Sequence, residues 1–340
     1  MAEEEFGELF AAEGPRPFAP EEMVACEACV RANPPTRVHC LYCGALLPVT
    51  ERSARLQRPT LKKLEEWEAG FSVVLHPSAN PSAPDETLKE LSSLLRLEPD
   101  VLGECLEERR PVPLARVGSR QEAELIAGRV AACGLRAETL SDEDLLMREP
   151  PRRVRALELT ADELVGTGQP GEEPWRAGWS EVFLLVTGRI VRKRIEVEER
   201  REKSRRDGEV VDARELATDE AVLDIYAGAE EGAAGWRILA DNFDYTCLGP
   251  RKSLLARENF RTLVGVLRER AAEAVLDEDY ARLRRLLAAA WPPDARDDSL
   301  GFRRERMGRY NTGASTAVSN EAQFTRYSRL RRHFMRKTER

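Results

Sequence analysis

The spacing of apolar residues changes character several times along the chain. Residues 1–22 are rich in Glu and Pro and have little to bury, which predicts a flexible acidic lead. Residues 49–70 are charged, with Leu61, Leu64 and Trp67 at helical spacing, and read as a linker or short helix. From Phe71 the pattern tightens. Phe71-Ser-Val-Val-Leu75 is a short β-type run, and a Pro/Ser/Asn loop follows at 76–84. Leu88, Leu91, Leu94 and Leu95 share one helical face, with Asp85 available as a cap. Pro99 restarts the chain into a second helix bearing Val101, Leu102, Cys105 and Leu106. Residues 112–117 read as a strand. Ser119, with Glu122 three positions on, has the capping-box pattern of a helix that ends near Gly134. Residues 135–140 form a last strand, so 71–141 is predicted as a β-α-α-β-α-β two-layer module.

Beyond the charged, Pro-terminated stretch 142–151 the texture turns to strands, at 154–159, 182–197, 210–216, 221–226 and 236–248. Residues 230–235 separate the last two as a Gly/Ala-rich turn. A helix then carries Phe260, Leu263, Val264 and Leu267 on one face. Residues 152–272 are therefore expected to form an antiparallel β barrel or sandwich capped by that helix. A further amphipathic helix occupies 273–293. Residues 294–340 lack sustained apolar periodicity until 324–334 and read as a basic, largely flexible tail. The expected fold class is multi-domain α+β.

Four of the seven cysteines change this picture. Cys26, Cys29, Cys40 and Cys43 stand in a C-x2-C-x10-C-x2-C pattern, which assigns residues 23–48 to a zinc ribbon. Thiolates suit a borderline-soft tetrahedral ion, and four of them close its coordination shell, so the zinc expected here is structural. Gly44 after the second pair permits a turn with positive φ. The segment is too short to own a core, and metal binding is expected to supply most of its folding free energy.

Three stretches carry resemblances. Asn33-Pro-Pro and Cys40-Leu-Tyr-Cys43-Gly44-Ala-Leu resemble the short zinc ribbons heading many bacterial proteins, which implies a structural zinc and a contact-making module. Residues 71–141, through Phe71-Ser-Val-Val-Leu75, the helix-turn-helix and the capped Ser119-Arg-Gln-Glu-Ala-Glu helix, resemble the C-terminal domain of the ribosomal stalk protein. That domain recruits translation factors through a Lys/Gly-rich surface. Here Glu98, Asp100, Glu104, Glu107 and Glu108 reverse the charge, so the resemblance implies the fold alone. Residues 154–270, through Gly235-Trp-Arg-Ile-Leu, Phe243-Asp-Tyr-Thr-Cys-Leu and Asn259-Phe-Arg-Thr-Leu-Val, look similar to pleckstrin-homology-like domains, which implies a binding module.

Charge is distributed unevenly. Residues 301–340 carry eleven Arg and Lys against three Glu, so a chain of net charge −7 has −15 in its first 300 residues. The tail mixes Arg303, Arg304, Arg306, Arg309, Arg326, Arg329, Arg331, Arg332 and Arg336 with Phe302, Tyr310, Phe324, Tyr327 and Phe334, a composition suited to RNA. Arg326, Arg329 and Arg332 fall on one helical face. The basic run 189–194 is interleaved downstream with Glu196, Glu198, Glu199 and Glu202 and reads as a solvated mixed-charge hairpin. Met1-Ala-Glu-Glu-Glu is acidic where a secretory signal would be basic, and stretches such as 182–186 and 286–291 are too short to span a bilayer. With Cys105, Cys133 and Cys247 among apolar neighbours, a reducing, cytoplasmic setting is expected.

No catalytic constellation stands out. The three histidines, His39, His76 and His333, lie far in sequence from any recognisable nucleophile, and no small-molecule substrate suggests itself. The expected function is a non-catalytic cytoplasmic adaptor that binds other proteins. The alternatives are an RNA- or ribosome-associated protein using ribbon and tail, and a metal-dependent hydrolase using Asp241, Asp244, Asp277, Glu278 and Asp279.

Overall fold

A computed structural model describes residues 18–65, 67–78, 84–202, 209–228, 235–306 and 309–338. Most of the acidic lead, the core of the 230–235 turn and much of the 76–84 loop lie outside them. The protein is mixed α+β with several sheets, and the chain divides into two compact units, Met1–Thr60 and Leu61–Arg340.

The first unit holds two short antiparallel strands, β1 (Val24–Ala25) and β2 (Ala32–Asn33), and one helix, α1 (Glu51–Leu56). Thr50 caps α1 by accepting from the Ser53 amide, and Ser53 Oγ accepts in turn from the Thr50 amide.

The second unit begins with β3 (Phe71–Leu75), α2 (Asp85–Leu95), α3 (Pro99–Glu107), β4 (Val112–Val117), α4 (Arg120–Ala132) and β5 (Ala137–Ser141). The three strands form an antiparallel sheet in the order β4-β3-β5. Next come β6 (Arg152–Val154), β7 (Ala156–Leu159), β8 (Glu163–Thr167) and β9 (Trp175–Gly178), of which β7, β8 and β9 make a small meander. Two long strands follow, β10 (Val182–Glu202) and β11 (Glu209–Ala227), then β12 (Trp236–Leu239), α5 (Ala256–Arg270), β13 (Val275–Asp277) and α6 (Tyr280–Ala290). The chain closes with β14 (Asp294–Arg306), β15 (Arg309–Ser319) and α7 (Glu321–Thr338).

Four differences from the expected elements have physical reasons. Strand β11 runs unbroken where two strands were expected, because its polar middle is paired residue for residue with β10. Strand β12 ends at Leu239, and 3-10 turns occupy the rest of the stretch expected as strand, with Asp244 capping the second of them. Residues 275–277, expected within a helix, pair in parallel with β10. The largest correction concerns 294–340. In place of a flexible tail, β14 and β15 form a hairpin whose inner strand pairs with β10 from Arg192 to Glu202, and α7 packs into the core.

The resulting seven-stranded sheet has the order β14-β15-β10-β11-β12-β6, with β13 also on β10. Its two faces enter different cores, as the two-residue period of a strand requires. Leu184, Val186, Ile190, Val222 and Tyr226 meet Tyr280, Leu287, Phe324, Tyr327 and Leu330, a core continuous with Val73, Leu91, Leu114 and Ile126. Leu185, Leu223, Ile225, Trp236 and Ile238 meet Phe260, Leu263 and Leu267 of α5. Gly188 allows the helices to sit close, since a Cβ there would stand 2.6 Å from the Phe324 ring and 2.9 Å from Tyr280.

Asp277 is fully buried at the end of β13. It accepts from Arg110 Nη1, from Arg331 Nε at 2.7 Å, from the Tyr327 hydroxyl and from the Asp279 amide at 3.2 Å. Removing one partner of such a network strands the others in low dielectric, at a cost of about 3–5 kcal/mol. Asp277→Asn is therefore expected to lower the unfolding free energy of the second unit by about that much, read from urea titrations. Arg331→Met in the same chain should recover part of the loss, which a double-mutant cycle would read.

A second set of charges gives stability a pH dependence. His333 is held below the ordinary histidine value by burial first and by Lys337, against the pull of Glu138 and Asp144. His76 Nε2 also meets Glu138, at 3.2 Å. For Glu138 burial, which raises the value, is outweighed by Lys337 and the two histidines, so its carboxyl is lowered. Both groups bind protons more readily when unfolded, so both contributions are present at neutral pH and fade as pH falls. Stability should begin to drop below about pH 6.5, where an unfolded histidine protonates. In His333→Asn that first stage should be flat in urea titrations, leaving the later carboxylate stage.

Candidate metal centre

The two C-x-x-C segments fold as equivalent turns. The Cys26 amide donates to the Arg31 carbonyl (3.0 Å) and the Val30 amide to the Cys26 carbonyl (2.8 Å). In the second turn the Cys40 amide donates to Ala45 (2.8 Å) and the Gly44 amide to Cys40 (3.0 Å), the same two bonds at the same offsets. Each turn requires positive φ at the residue after its second cysteine, +75° at Gly44 and +60° at Val30. Glycine adopts this conformation freely, whereas a β-branched residue is strained there.

These turns bring the four Sγ atoms within 4.8 Å of one another. Cys26 and Cys43 lie 3.6 Å apart, as do Cys29 and Cys40, too far for disulfides. A tetrahedral ion with metal–sulfur bonds of about 2.3 Å needs sulfur–sulfur edges of about 3.8 Å. Two of the edges are close to that value and all lie within 4.8 Å, so Cys26, Cys29, Cys40 and Cys43 could hold a metal ion.

Asn33 is the supporting residue that sequence reasoning did not assign a role. It is fully buried at the end of β2. Its Nδ2 donates to Cys40 Sγ (3.4 Å) and to the Arg31 carbonyl (2.9 Å), while its Oδ1 accepts from the Leu41 amide (2.8 Å). One side chain thereby ties the second turn to the first. The Tyr42 amide also points at Cys40 Sγ (3.4 Å). Burial, the strongest influence on the Cys40 thiol, raises its pKa, but the Cys43 and Tyr42 amides, Asn33 and Cys29 together bring it down to about 6. At Cys43 the Ala45 amide lowers the value most, yet the other three thiols and burial carry it up to about 12. Four thiols in so small a space cannot all ionise without a cation among them.

The remaining candidates are dispersed. Among the described residues no other group of three or more His, Cys, Asp or Glu side chains gathers within metal-binding reach. Asp244 caps its own turn through the Thr246 amide and hydroxyl, and Asp277 is paired with arginines, whereas Asp241 and Glu278 line one cleft of about 700 Å³ without a third metal-ligating group in reach among the described residues. His39 bridges to Leu46 through its backbone. Cys105 is buried and pushed up to about 12 by burial and by Glu104 and Glu108. Cys133 and Cys247 are half-buried and also raised, chiefly by burial. The 189–194 run is spent on ion pairs of Arg189 with Asp219, Arg192 with Glu321, Lys193 with Glu215 and Arg194 with Glu196. Arg326, Arg329 and Arg332 do share one face of α7, but it is the buried face. The acidic residues of α3 meet α6: Arg282 pairs with Glu108, and Arg285 with Asp100 and Glu104.

Comparison of the chain with protein-family models, with curated proteins and with solved structures gives no match. Among the described residues no helix is long and apolar enough to cross a membrane.

Two substitutions test the centre. A non-glycine residue at positive φ costs on the order of 1–3 kcal/mol, so Val30→Gly should tighten metal binding by about tenfold in competition with a chromophoric chelator. Asn33→Leu should weaken it by about 10–100-fold, the usual effect of losing a supporting hydrogen bond to a ligand.

Proposed function

We propose that the protein is a non-catalytic adaptor whose first unit is a zinc ribbon that presents an apolar surface to another protein. The observation that carries this reading is the exposure of large apolar side chains on the ligand-bearing turns. Leu41 and Tyr42 lie between the two ligands of the second turn and are 55% and 57% exposed, and Val30 at the matching corner of the first is 81% exposed. Leu46 and Val49 are exposed nearby in sequence. The Arg31 guanidinium lies 4.7 Å over the Tyr42 ring and braces it. Side chains held between two metal ligands have their positions set by the ion, so zinc acts here through geometry rather than chemistry. A closed shell of four sulfurs leaves no position for a reacting water.

The same reading takes residues 71–141 as a module of the stalk-domain kind and 152–272 as a pleckstrin-like domain. Its support is the strand-helix-helix-strand-helix-strand order of the first and the antiparallel run β10-β11-β12 followed by α5 in the second. Free thiols throughout suit a cytoplasmic setting.

Metal analysis of the protein purified from its native host should return one zinc per chain and no visible absorption; bound iron would colour the protein and displace zinc from the reading. Capture from native lysate should yield protein partners that survive nuclease. Those partners should be lost from Leu41→Asp and Tyr42→Ser variants that keep their zinc. Capture unchanged by both variants would move the interaction off the ribbon, and loss of every partner on nuclease treatment would put nucleic acid in its place.

A further inference from the structure

The second unit contains a cleft of about 730 Å³ between β10, β15, the start of α7 and the segment 147–151. Eight arginine and lysine side chains line it against four carboxylates, in a chain whose net charge is −7. Most of the basic groups have local partners. Arg237 at the base is fully balanced, with Nε and Nη2 on the two oxygens of Asp224 at 2.7 and 2.8 Å. Arg329 is different. It is 2% exposed, yet no carboxylate lies within ion-pairing distance among the described residues. Its Nη groups donate to the carbonyls of Leu146 and Glu149, and its Nε has no acceptor among the described residues. Burial pulls its pKa below the ordinary arginine value, outweighing the partial compensation from the more distant Asp224 and Glu149 carboxylates. A guanidinium remains charged at any physiological pH, and an uncompensated buried charge is costly.

We propose that this cleft binds a small phosphate-bearing molecule, whose phosphate supplies the negative charge that Arg329 lacks. Arg326 lies beside it on the same buried face of α7, and Arg194 and Arg296 stand at the exposed rim. The depth of the charge favours a small ligand over a nucleic acid. A polynucleotide backbone tracks exposed basic grooves, whereas this cleft is recessed between β10, β15, the start of α7 and 147–151. The volume lies in the range of small-molecule sites. Planar guanidinium groups match phosphate geometry with two parallel hydrogen bonds, which makes arginine suited to this ligand class.

The test uses the full chain and inorganic pyrophosphate as probe, followed by calorimetry and by thermal unfolding. Wild-type protein should bind and unfold at higher temperature with pyrophosphate present. Arg194→Glu with Arg296→Glu reverses two rim charges, leaves Arg329 and the Arg237–Asp224 pair in place, and should weaken binding by about tenfold or more. Arg257→Glu with Arg261→Glu on α5 makes the same change of net charge elsewhere and should leave binding within about twofold. Arg329→Lys keeps the charge but loses the fork, and should weaken binding while the protein still folds. A second arm uses phosphatidylcholine vesicles with and without a phosphoinositide. Binding to the phosphoinositide vesicles alone, abolished by the rim pair, would assign the phosphate to a lipid headgroup. No binding in either arm, or equal losses in the rim and α5 variants, would overturn the proposal.

Discussion

The carboxylate of Asp277 is the constraint on which the second unit depends. It ends the short strand β13, yet its partners come from the loop before β4 and from α7. Three parts of the chain that are remote in sequence are thereby required to meet at one buried point. The requirement is stringent because it is electrostatic. Apolar contacts degrade gradually as helices shift, whereas loss of this buried carboxylate leaves Arg331 without its ion-pair partner and Arg110 with Asp279 alone. The surrounding core supplies most of the burial energy, roughly 1.5–3 kcal/mol for each large apolar side chain. Asp277 sets the arrangement in which that core closes.

This dependence explains what was legible in the sequence and what was not. Helix α4 was readable because its cap, Ser119 with Glu122, is local, and the Ser119 hydroxyl does accept from the Glu122 amide. The strands of the small sheet were readable because their apolar runs are bounded by turn residues. The last 47 residues were misread because their apolar positions are sparse and set among arginines. Phe324, Tyr327 and Leu330 do repeat at helical spacing, but Arg326, Arg329 and Arg332 appeared to mark an exposed face. Arg329 is buried because the carbonyls of Leu146 and Glu149 receive it, which no local pattern reveals. Strand β15 is polar in sequence and owes its place to pairing with β10.

The metal centre divides in the same way. The cysteine ligands announce themselves by spacing, since a C-x-x-C turn is a local object. The strain at Val30 could have been read by aligning the two turns, which places it opposite Gly44. The role of Asn33 required knowing that β2 carries it into the space between the turns. The metal centre and the basic cleft have a physical resemblance. In each, the chain gathers charge of one sign more densely than its own groups compensate. The thiols at the centre could hold a cation, and the proposed phosphate would face the buried guanidinium in the cleft.

The position of α7 bears on how the protein is made. The Val191 amide finds its acceptor in Asn320, 129 positions later in the chain. At ribosomal rates of 5–20 residues per second, that gap corresponds to roughly 6–26 s of synthesis. For the later part of that interval the sheet face around Leu184, Ile190 and Val222 has been made without the helix that covers it. The edge of β10 that later receives β15 is also unpaired. Uncovered apolar faces and open strand edges are sites of intermolecular pairing. The nascent chain therefore passes through a window in which an apolar face and a strand edge are open to other molecules.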